Sequence, residues 1–437
     1  MNDNIRVAYD TSVLGSGYIN YRLRTGIFRV IEEMLVELNR RDNISVYPVA
    51  LNKESTILDD TSSRLYFEQE KTELLKNFRA TYCSQLHLDN TYTALVNFQK
   101  KLFRTATSRD HLAYKVGRAL DIVGRQLVKA ETFLSSRPSG YDVYHGSYFP
   151  LPDSDTLPDV PRILTVYDLI PLLFPEFVVP KVNQRAINLL QSINIQKDWI
   201  ICISEHTKQD FCLYSGMDSE RVFVAPLAAA GHFHPVKDSS HIQNVLSKYR
   251  IPQEPYLLSL CTLEPRKNLE MLIRAFSEFI QAHPDTDLNL VLVGTSGWKN
   301  SAIFQAAQDN SQIKNRIIFS GYVPDEDLAA IYSRALAFVY PSLYEGFGLP
   351  PLEAMQCGTP IIASCSSSLP EVVGDAGILF DPKHQSELSH AIWKLVNDSE
   401  LHAQLSQKSL ARAHQFSWSK CADKTIEVYR TALENRD

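Results

Sequence analysis

Residues 340–381 read YPSLYEGFGLPPLEAMQCGTPIIASCSSSLPEVVGDAGILFD. The stretch opens on the end of an apolar run, Ala335 to Tyr340, which predicts a buried parallel strand closed by Pro341 and Ser342. In the loop that follows, Gly346 and Gly348 on either side of Phe347 let the backbone approach a ligand closely. Pro350-Pro351 then starts a helix through Leu352, Glu353, Ala354 and Met355. Gly358 stops that helix, and Thr359 to Ala363 supplies a second apolar strand. Strand, glycine loop, helix and strand make one right-handed crossover of a parallel sheet, so the fold class is α/β. In such a unit the strand's carboxyl end and the helix N-terminus suit an anionic ligand, with the amides of Phe347 to Leu349 aimed at it. Glu345 before the helix and Glu353 inside its first turns flank that place and are expected to face one common ligand.

The rest of the chain repeats the pattern. A length of 437 residues exceeds one ordinary core and fits two domains. Strands are expected at Ile5–Tyr9, 44–50, Tyr141–His145, Ile163–Asp168, Trp199–Ile203 and Val222–Leu227, then again at Tyr256–Leu260, Leu288–Val293 and from Ile317. The small and turn-forming residues Ala228 to Lys237 read as the connection between the two sets. The expected division is 1–230, 231–415 and a terminal helical segment 416–437 that starts at Phe416-Ser417-Trp418. Gly15-Ser16-Gly17 reads as a flexible loop after the first strand, and Thr25-Gly26 as the cap of the next helix. Residues 55–138 are polar and helical in pattern, longer than a crossover needs, and read as an insertion in the first domain.

Composition removes several function classes. A formal net charge of −6 disfavours nucleic acid as a partner, since phosphate binding needs a basic surface. The 7 cysteines are odd in number and contain no C-x-x-C pair, which favours a reducing compartment and neither a zinc site nor a disulfide frame. No apolar stretch of about 18 residues occurs, and MNDN runs straight into a strand, so a cytoplasmic protein is expected. One block departs from the acidic balance: residues 91–130 hold 8 Lys/Arg against 2 Asp/Glu. Inside it, Val116, Leu120, Val123, Leu127, Ala130 and Leu134 form a helical stripe, with Lys115, Arg118, Arg125 and Lys129 opposite. Two readings stand for this helix at 115–134: a core-facing helix with a solvated basic face, or a peripheral contact with anionic lipid.

The chemistry gathers at strand ends. Arg266-Lys267-Asn268 follows the strand Tyr256–Leu260, and two adjacent cations at a strand-to-helix turn are what a diphosphate leaving group requires. With the carboxylates Glu345 and Glu353, that geometry suits a sugar nucleotide. The whole set of strings resembles the retaining glycosyltransferases of family 4. These strings are Glu-x7-Glu with G-F-G, the double proline, C-G-T-P, Pro370-Glu371-Val372-Val373, T-G-I-x-R-V at 25–30 and TVYDLIPLLFPEF at 165–177. Within that family the chain looks most like mannosyltransferases of surface polysaccharide biosynthesis.

The resemblance implies the GT-B architecture, two Rossmann-like domains facing across a cleft. It implies that Glu345 contacts the transferred sugar and Glu353 the nucleotide ribose. It places Gly26, Gly294, Val323, Gly346, Phe347, Gly348 and Leu349 around the donor, and His145 and Ser204 on the acceptor side. Tyr167 stands where the family has a histidine, next to Asp168, and reads either as a cleft-wall aromatic or as a group taking part in the reaction. Phe28 stands where many relatives carry a second glycine. No metal and no cofactor are implied. The substrate is a nucleoside-diphosphate sugar, GDP-mannose in the first instance, and the acceptor a saccharide or lipid-linked hydroxyl. Two other classes stay open: a sugar-nucleotide epimerase of the same fold, which needs no acceptor, and a non-catalytic nucleotide-sugar-binding protein.

Overall fold

The computed structural model describes residues 4–24, 26–52, 57–75, 89–106, 110–128, 140–153, 157, 159–309 and 313–436. Among them, two six-stranded sheets organise the chain, and every strand pair in both is parallel. The first sheet is built from Ile5–Asp10 (β1), Ile44–Val49 (β2), Val143–Gly146 (β3), Arg162–Val166 (β4), Trp199–Cys202 (β5) and Val222–Val224 (β6). The second uses Tyr256–Leu260 (β7), Asn289–Val293 (β8), Ile317–Gly321 (β9), Ala337–Tyr340 (β10), Ile361–Ser364 (β11) and Gly377–Phe380 (β12). Helices cover both faces of each sheet, which is why the central strands read as near-continuous apolar runs instead of alternating. Val7 and Ala8 show the two faces: Val7 joins a core that continues through both domains, and Ala8 a smaller cluster with Tyr144, Leu164 and Ile200.

Strand order decides where ligands go. The first sheet runs β2-β1-β3-β4-β5-β6 and the second β12-β11-β10-β7-β8-β9. Each therefore reverses direction beside its first strand, at β1/β3 and at β7/β10, and such switch points leave a crevice at the carboxyl ends of the strands. In the second sheet Ala337 pairs with Leu257 and Phe338 with Leu258, so the loops leaving β7 and β10 emerge side by side.

Two sequence expectations change here. Gly15-Ser16-Gly17 is no loop; it lies inside the helix Ser12–Ile19. A Cβ on Gly15 would stand 2.5 Å from Ser62 Oγ and 2.8 Å from Ser63 N, and one on Gly17 2.4 Å from the Phe28 ring. These glycines exist to let the helix Ile57–Glu70 and Phe28 come close, and Phe28, 3% exposed, fills the space they leave. The second change concerns the basic helix, Leu112–Val128. It packs through Tyr114 and Gly117 against Phe103, while Leu112, Val116 and Ile122 are 74%, 40% and 52% exposed. A contact made by glycine is invisible to a count of apolar residues, so Val116, expected in the apolar stripe, faces outward. Thr25, the expected cap, Ala130 and Leu134 of the stripe, and Lys129 of the basic face lie outside the described residues. Among the described residues no helix is long and apolar enough to cross a membrane.

The last helix, Trp418–Glu434, leaves the second domain and lies on the first, against the helix Gly26–Asn39 and β5. Arg41 reaches Asp423 at 2.8 Å and the Ser419 Oγ at 2.8 Å to hold it there.

Candidate active site

The loop leaving β7 makes a tight turn at Pro265–Lys267, and the loop leaving β10 carries Glu345. Because β7 and β10 are neighbours, the two loops meet. Lys267 Nζ lies 2.5 Å from Glu345 Oε1, and Arg266 Nη1 lies 2.9 Å from Glu345 Oε2. Arg266 is fixed further by Glu264 at 2.8 Å and the Tyr344 carbonyl at 2.7 Å, and Lys267 donates to the Tyr340 hydroxyl at 2.7 Å. The cations expected at an open strand mouth are thus mostly buried and locked, with side chains 14% and 10% exposed. Burial pushes the Glu345 carboxyl up, but Arg266 and Lys267 outweigh it and hold it at about 2.

A run of serines supports this loop. Ser342 Oγ donates to Glu345 Oε1 at 2.5 Å, and Ser368 Oγ donates to the carbonyls of Glu345 and Phe347 at 3.0 and 2.7 Å. The Glu345 amide donates to Ser367 Oγ at 2.8 Å, with Ser367 held in the left-handed region at φ 48°. Serines fit here because a buried loop's amides and carbonyls need short polar partners close to the backbone.

Opposite stands the first domain. Gly346 packs directly on the Tyr167–Asp168 backbone: a Cβ there would meet the Tyr167 carbonyl oxygen at 2.1 Å. Asp168 accepts from the Ile170 amide at 2.9 Å, and burial raises its carboxyl above the usual range. Burial likewise lifts the Tyr167 phenol well above its ordinary value. Between the domains a cleft of about 420 Å³ is bordered by Tyr167, Asp168, Val182, Arg185, Arg266 and Trp298.

Ser204, expected on the acceptor side, is spent on joining the domains. It caps the helix Glu205–Ser215, and its Oγ donates to the Gly346 carbonyl at 2.8 Å. Glu371 closes the same seam from the other side, accepting from the amides of Glu205 and His206 at 2.8 and 2.7 Å. Tyr344 adds a hydrogen bond to Asp210. His145, expected on the acceptor side, is sealed beneath the terminal helix. It is 1% exposed, and its Nδ1 and Nε2 meet the Tyr429 hydroxyl at 2.6 Å and the Thr165 hydroxyl at 2.8 Å. Burial in that sealed position lowers it to about 3.

The remaining donor candidates form a second group. Glu353, 2% exposed, sits 3.2 Å from Arg29 Nη2 and accepts from the Tyr332 hydroxyl at 3.1 Å. Gly26 approaches Leu349, at the start of the helix Leu349–Gln356, with room for a Cβ 3.9 Å from its Cδ1. Gly348, at φ 125°, and Gly294, at φ 140°, occupy backbone that other residues rarely adopt, and a Cβ on Gly294 would strike the Cys261 carbonyl oxygen at 1.9 Å. Val323 is buried just ahead of Asp325, which meets Arg29 Nη1 at 3.1 Å. Glu345 and Glu353 each face their own cation: Arg266 with Lys267 for the first, Arg29 for the second. Sequence reasoning missed Arg29, Glu264, Glu371 and the serines as site residues. The run Ser366-Ser367-Ser368 and the arginine inside T-G-I-x-R-V were the available signals.

Comparison with known proteins follows this geometry. The family model described as "Glycosyl transferases group 1" matches residues 243–412. The "O-antigen chain mannosyltransferase B" of Escherichia coli is 32% identical over 345 residues, covering 76% of this chain and 88% of that protein. The "Serotype-specific mannosyltransferase WbdA" of Escherichia coli is 34% identical over 288 residues, covering 63% of this chain and 34% of that one. Among solved structures, Anabaena HepE in complex with UDP and glucose superposes with TM-score 0.61 at 16% identity, covering 97% of this chain and 99% of its own. WaaG, a glycosyltransferase involved in lipopolysaccharide biosynthesis, gives 0.58 at 14% identity, covering 97% and 99%. The shared fold is the two-domain GT-B arrangement.

Proposed function

The chain belongs to the group 1 glycosyl transferases and is a glycosyltransferase, and from that premise we propose that it moves mannose from GDP-mannose to a hydroxyl of a saccharide or lipid-linked acceptor, with retention of configuration. Two mannosyltransferase relatives at 32% and 34% identity support the sugar. UDP in the HepE structure makes UDP-sugars the competing donors to be tested.

The observation that carries the reading is the convergence of Arg266 and Lys267 on Glu345 at the β7/β10 switch point, across the cleft from Asp168. As the sugar departs, negative charge grows on the diphosphate. Two cations already fixed by Glu264, Glu345 and Tyr340 meet that charge without reorganising, which is where electrostatic stabilisation is most effective. In this reading Glu345 contacts the transferred sugar, Glu353 the ribose, and Tyr167 and Asp168 border the reacting carbon. The role of metal is then filled by side chains, and chelator leaves the rate unchanged. His145 and Ser204 act by holding the first domain and the domain seam, not by touching acceptor. The protein works in the cytoplasm, with peripheral contact to anionic lipid through the helix Leu112–Val128.

The test is incubation of the purified chain with GDP-, UDP-, dTDP- and ADP-sugars and a mannoside acceptor, with products read by mass spectrometry and anomeric couplings by NMR. Transfer from GDP-mannose with an α-linked product is expected. Transfer from another donor alone overturns the sugar assignment, an inverted anomer overturns retention, and a new sugar nucleotide formed without acceptor favours the epimerase reading.

A further inference from the structure

Arg29 belongs to the first domain, on the helix Gly26–Asn39, yet both of its partners lie in the second. Its Nη2 is 3.2 Å from Glu353 Oε1 and its Nη1 is 3.1 Å from Asp325 Oδ2. Asp325 opens the helix Asp325–Arg334 just after Val323 and Pro324. One guanidinium therefore ties together the two segments on which a nucleotide is expected to rest.

We propose that Arg29 is a positioning residue for the donor: reaching across the domain boundary, it orients the Glu353 carboxylate to accept the ribose hydroxyls of a nucleoside diphosphate, so the nucleotide site is complete only when the domains meet. The proposal rests on the assignment of Glu353 to the ribose.

The chemistry of Glu353 requires such a partner. At 2% exposure a lone carboxylate is costly, and it escapes that cost by taking up a proton or turning toward water. Arg29 on Oε1 and the Tyr332 hydroxyl on Oε2, at 3.1 Å, hold it in place and favour its ionised form against burial. A carboxylate has about four lone-pair sites. Arg29 and Tyr332 take one on each oxygen, and the others remain for two adjacent hydroxyls, the pattern a ribose presents. Burial pushes the Glu353 carboxyl upward and Arg29 opposes it. The other titratable groups facing this knot are Asp325, which also raises Glu353, Tyr332, Cys357 and, beside Arg29, His232, whose imidazole burial lowers. Arg29 also pairs with Asp325, so the loss of Arg29 exposes Glu353 to an unopposed neighbouring carboxylate.

The experiment measures binding of the nucleoside diphosphate that gives the largest thermal shift among GDP, UDP, dTDP and ADP. It uses calorimetry from pH 5.5 to 8 on the full chain, with Arg29→Ala, Arg29→Lys, Glu353→Gln and the double variant Arg29→Ala/Glu353→Gln. Arg29→Ala weakens binding roughly tenfold, as loss of a charge-assisted bond does, and the weakening grows as pH falls because Glu353 protonates more readily. It raises the donor KM more than it lowers kcat. Arg29→Lys, which keeps the charge, recovers part of the affinity and shows by its melting temperature that the fold survives. The double variant binds no worse than Glu353→Gln alone. Wild-type affinity in Arg29→Ala beside a weakened Glu353→Gln overturns the role of Arg29 alone, as does full additivity in the double variant. Wild-type affinity in Glu353→Gln overturns the ribose assignment and this proposal with it.

Discussion

Glu345 shares its charge between two cations and a hydroxyl, so the three residues Glu345, Arg266 and Lys267 behave as one unit whose parts are not independent. Lys267→Ala is expected to cost about 2–4 kcal/mol of transition-state stabilisation, read as kcat/KM, because it removes a fixed donor from the place where charge develops. Undiminished turnover would refute that role. His145 gives a prediction of another kind. Its folded value near 3 lies below the ordinary 6.5, so the unfolded chain takes up a proton that the folded one refuses. That stability is complete above pH 6.5 and declines as pH falls from 6.5 toward 3, by about 1.4 kcal/mol per pH unit. Asp10, raised by burial to about 6, acts in the opposite direction in the same window, which makes variant against wild type the proper comparison. His145→Gln should show a smaller fall in urea midpoint between pH 7 and pH 5 than the wild type. An equal fall would mean that His145 is protonated in the fold. Arg266, Lys267 and Glu345 were legible in the sequence because they stand in short strings beside strand ends. His145 stands at a strand end too, but its fate depends on Tyr429, 284 positions away, and nothing local records that.

At the level of single elements, strands were easy to read and helix faces were not. A parallel strand buried on both sides is a near-continuous apolar run, whereas the helices Ser12–Ile19 and Leu112–Val128 seat through glycines that carry no hydrophobic signal. The second helix is left with Leu112, Val116 and Ile122 outward, near Lys115 and Arg118, whose side chains are 62% and 45% exposed. An exposed apolar stripe flanked by cations fits the surface of an anionic bilayer, where apolar burial and charge act together. Sedimentation with phosphatidylglycerol vesicles should carry down the wild type, less so as salt rises, because exposed charges are screened within about 10 Å at 0.1 M. The Leu112→Ser/Ile122→Ser/Lys115→Gln/Arg118→Gln variant should stay in solution. If both sediment alike, or neither does, the helix has no lipid role.

Across the whole molecule, the two α/β domains could be inferred from repeated strand-and-helix patterning, but the seam between them could not. Ser204 with Gly346, Glu371 with the amides of Glu205 and His206, and Arg29 with Glu353 join segments over 100 residues apart, and no periodicity encodes such pairs. Gly346 is the tightest point of that seam. Gly346→Ala places a Cβ 2.1 Å from the Tyr167 carbonyl oxygen, which cannot yield without moving a strand end, so the domains must stand apart. The expected result is kcat lowered roughly 100-fold by misplacement of the facing groups, with nucleoside diphosphate binding weakened as well because Arg29 is drawn off Glu353. A wild-type kcat would show that the domains do not meet at this glycine during turnover.

The path of the helix Trp418–Glu434 has a consequence for how the protein comes to be folded at all. Trp418, Cys421, Ile426 and Tyr429 fill a groove on the first domain, yet they are synthesised after the whole second domain. The half of the protein that leaves the ribosome first must therefore wait, with that groove bare and His145 without the Tyr429 hydroxyl, while the half made later can close its own sheet at once. Order of completion runs against order of synthesis. A nick near 414–417 would undo the oldest part of the chain and spare the newest.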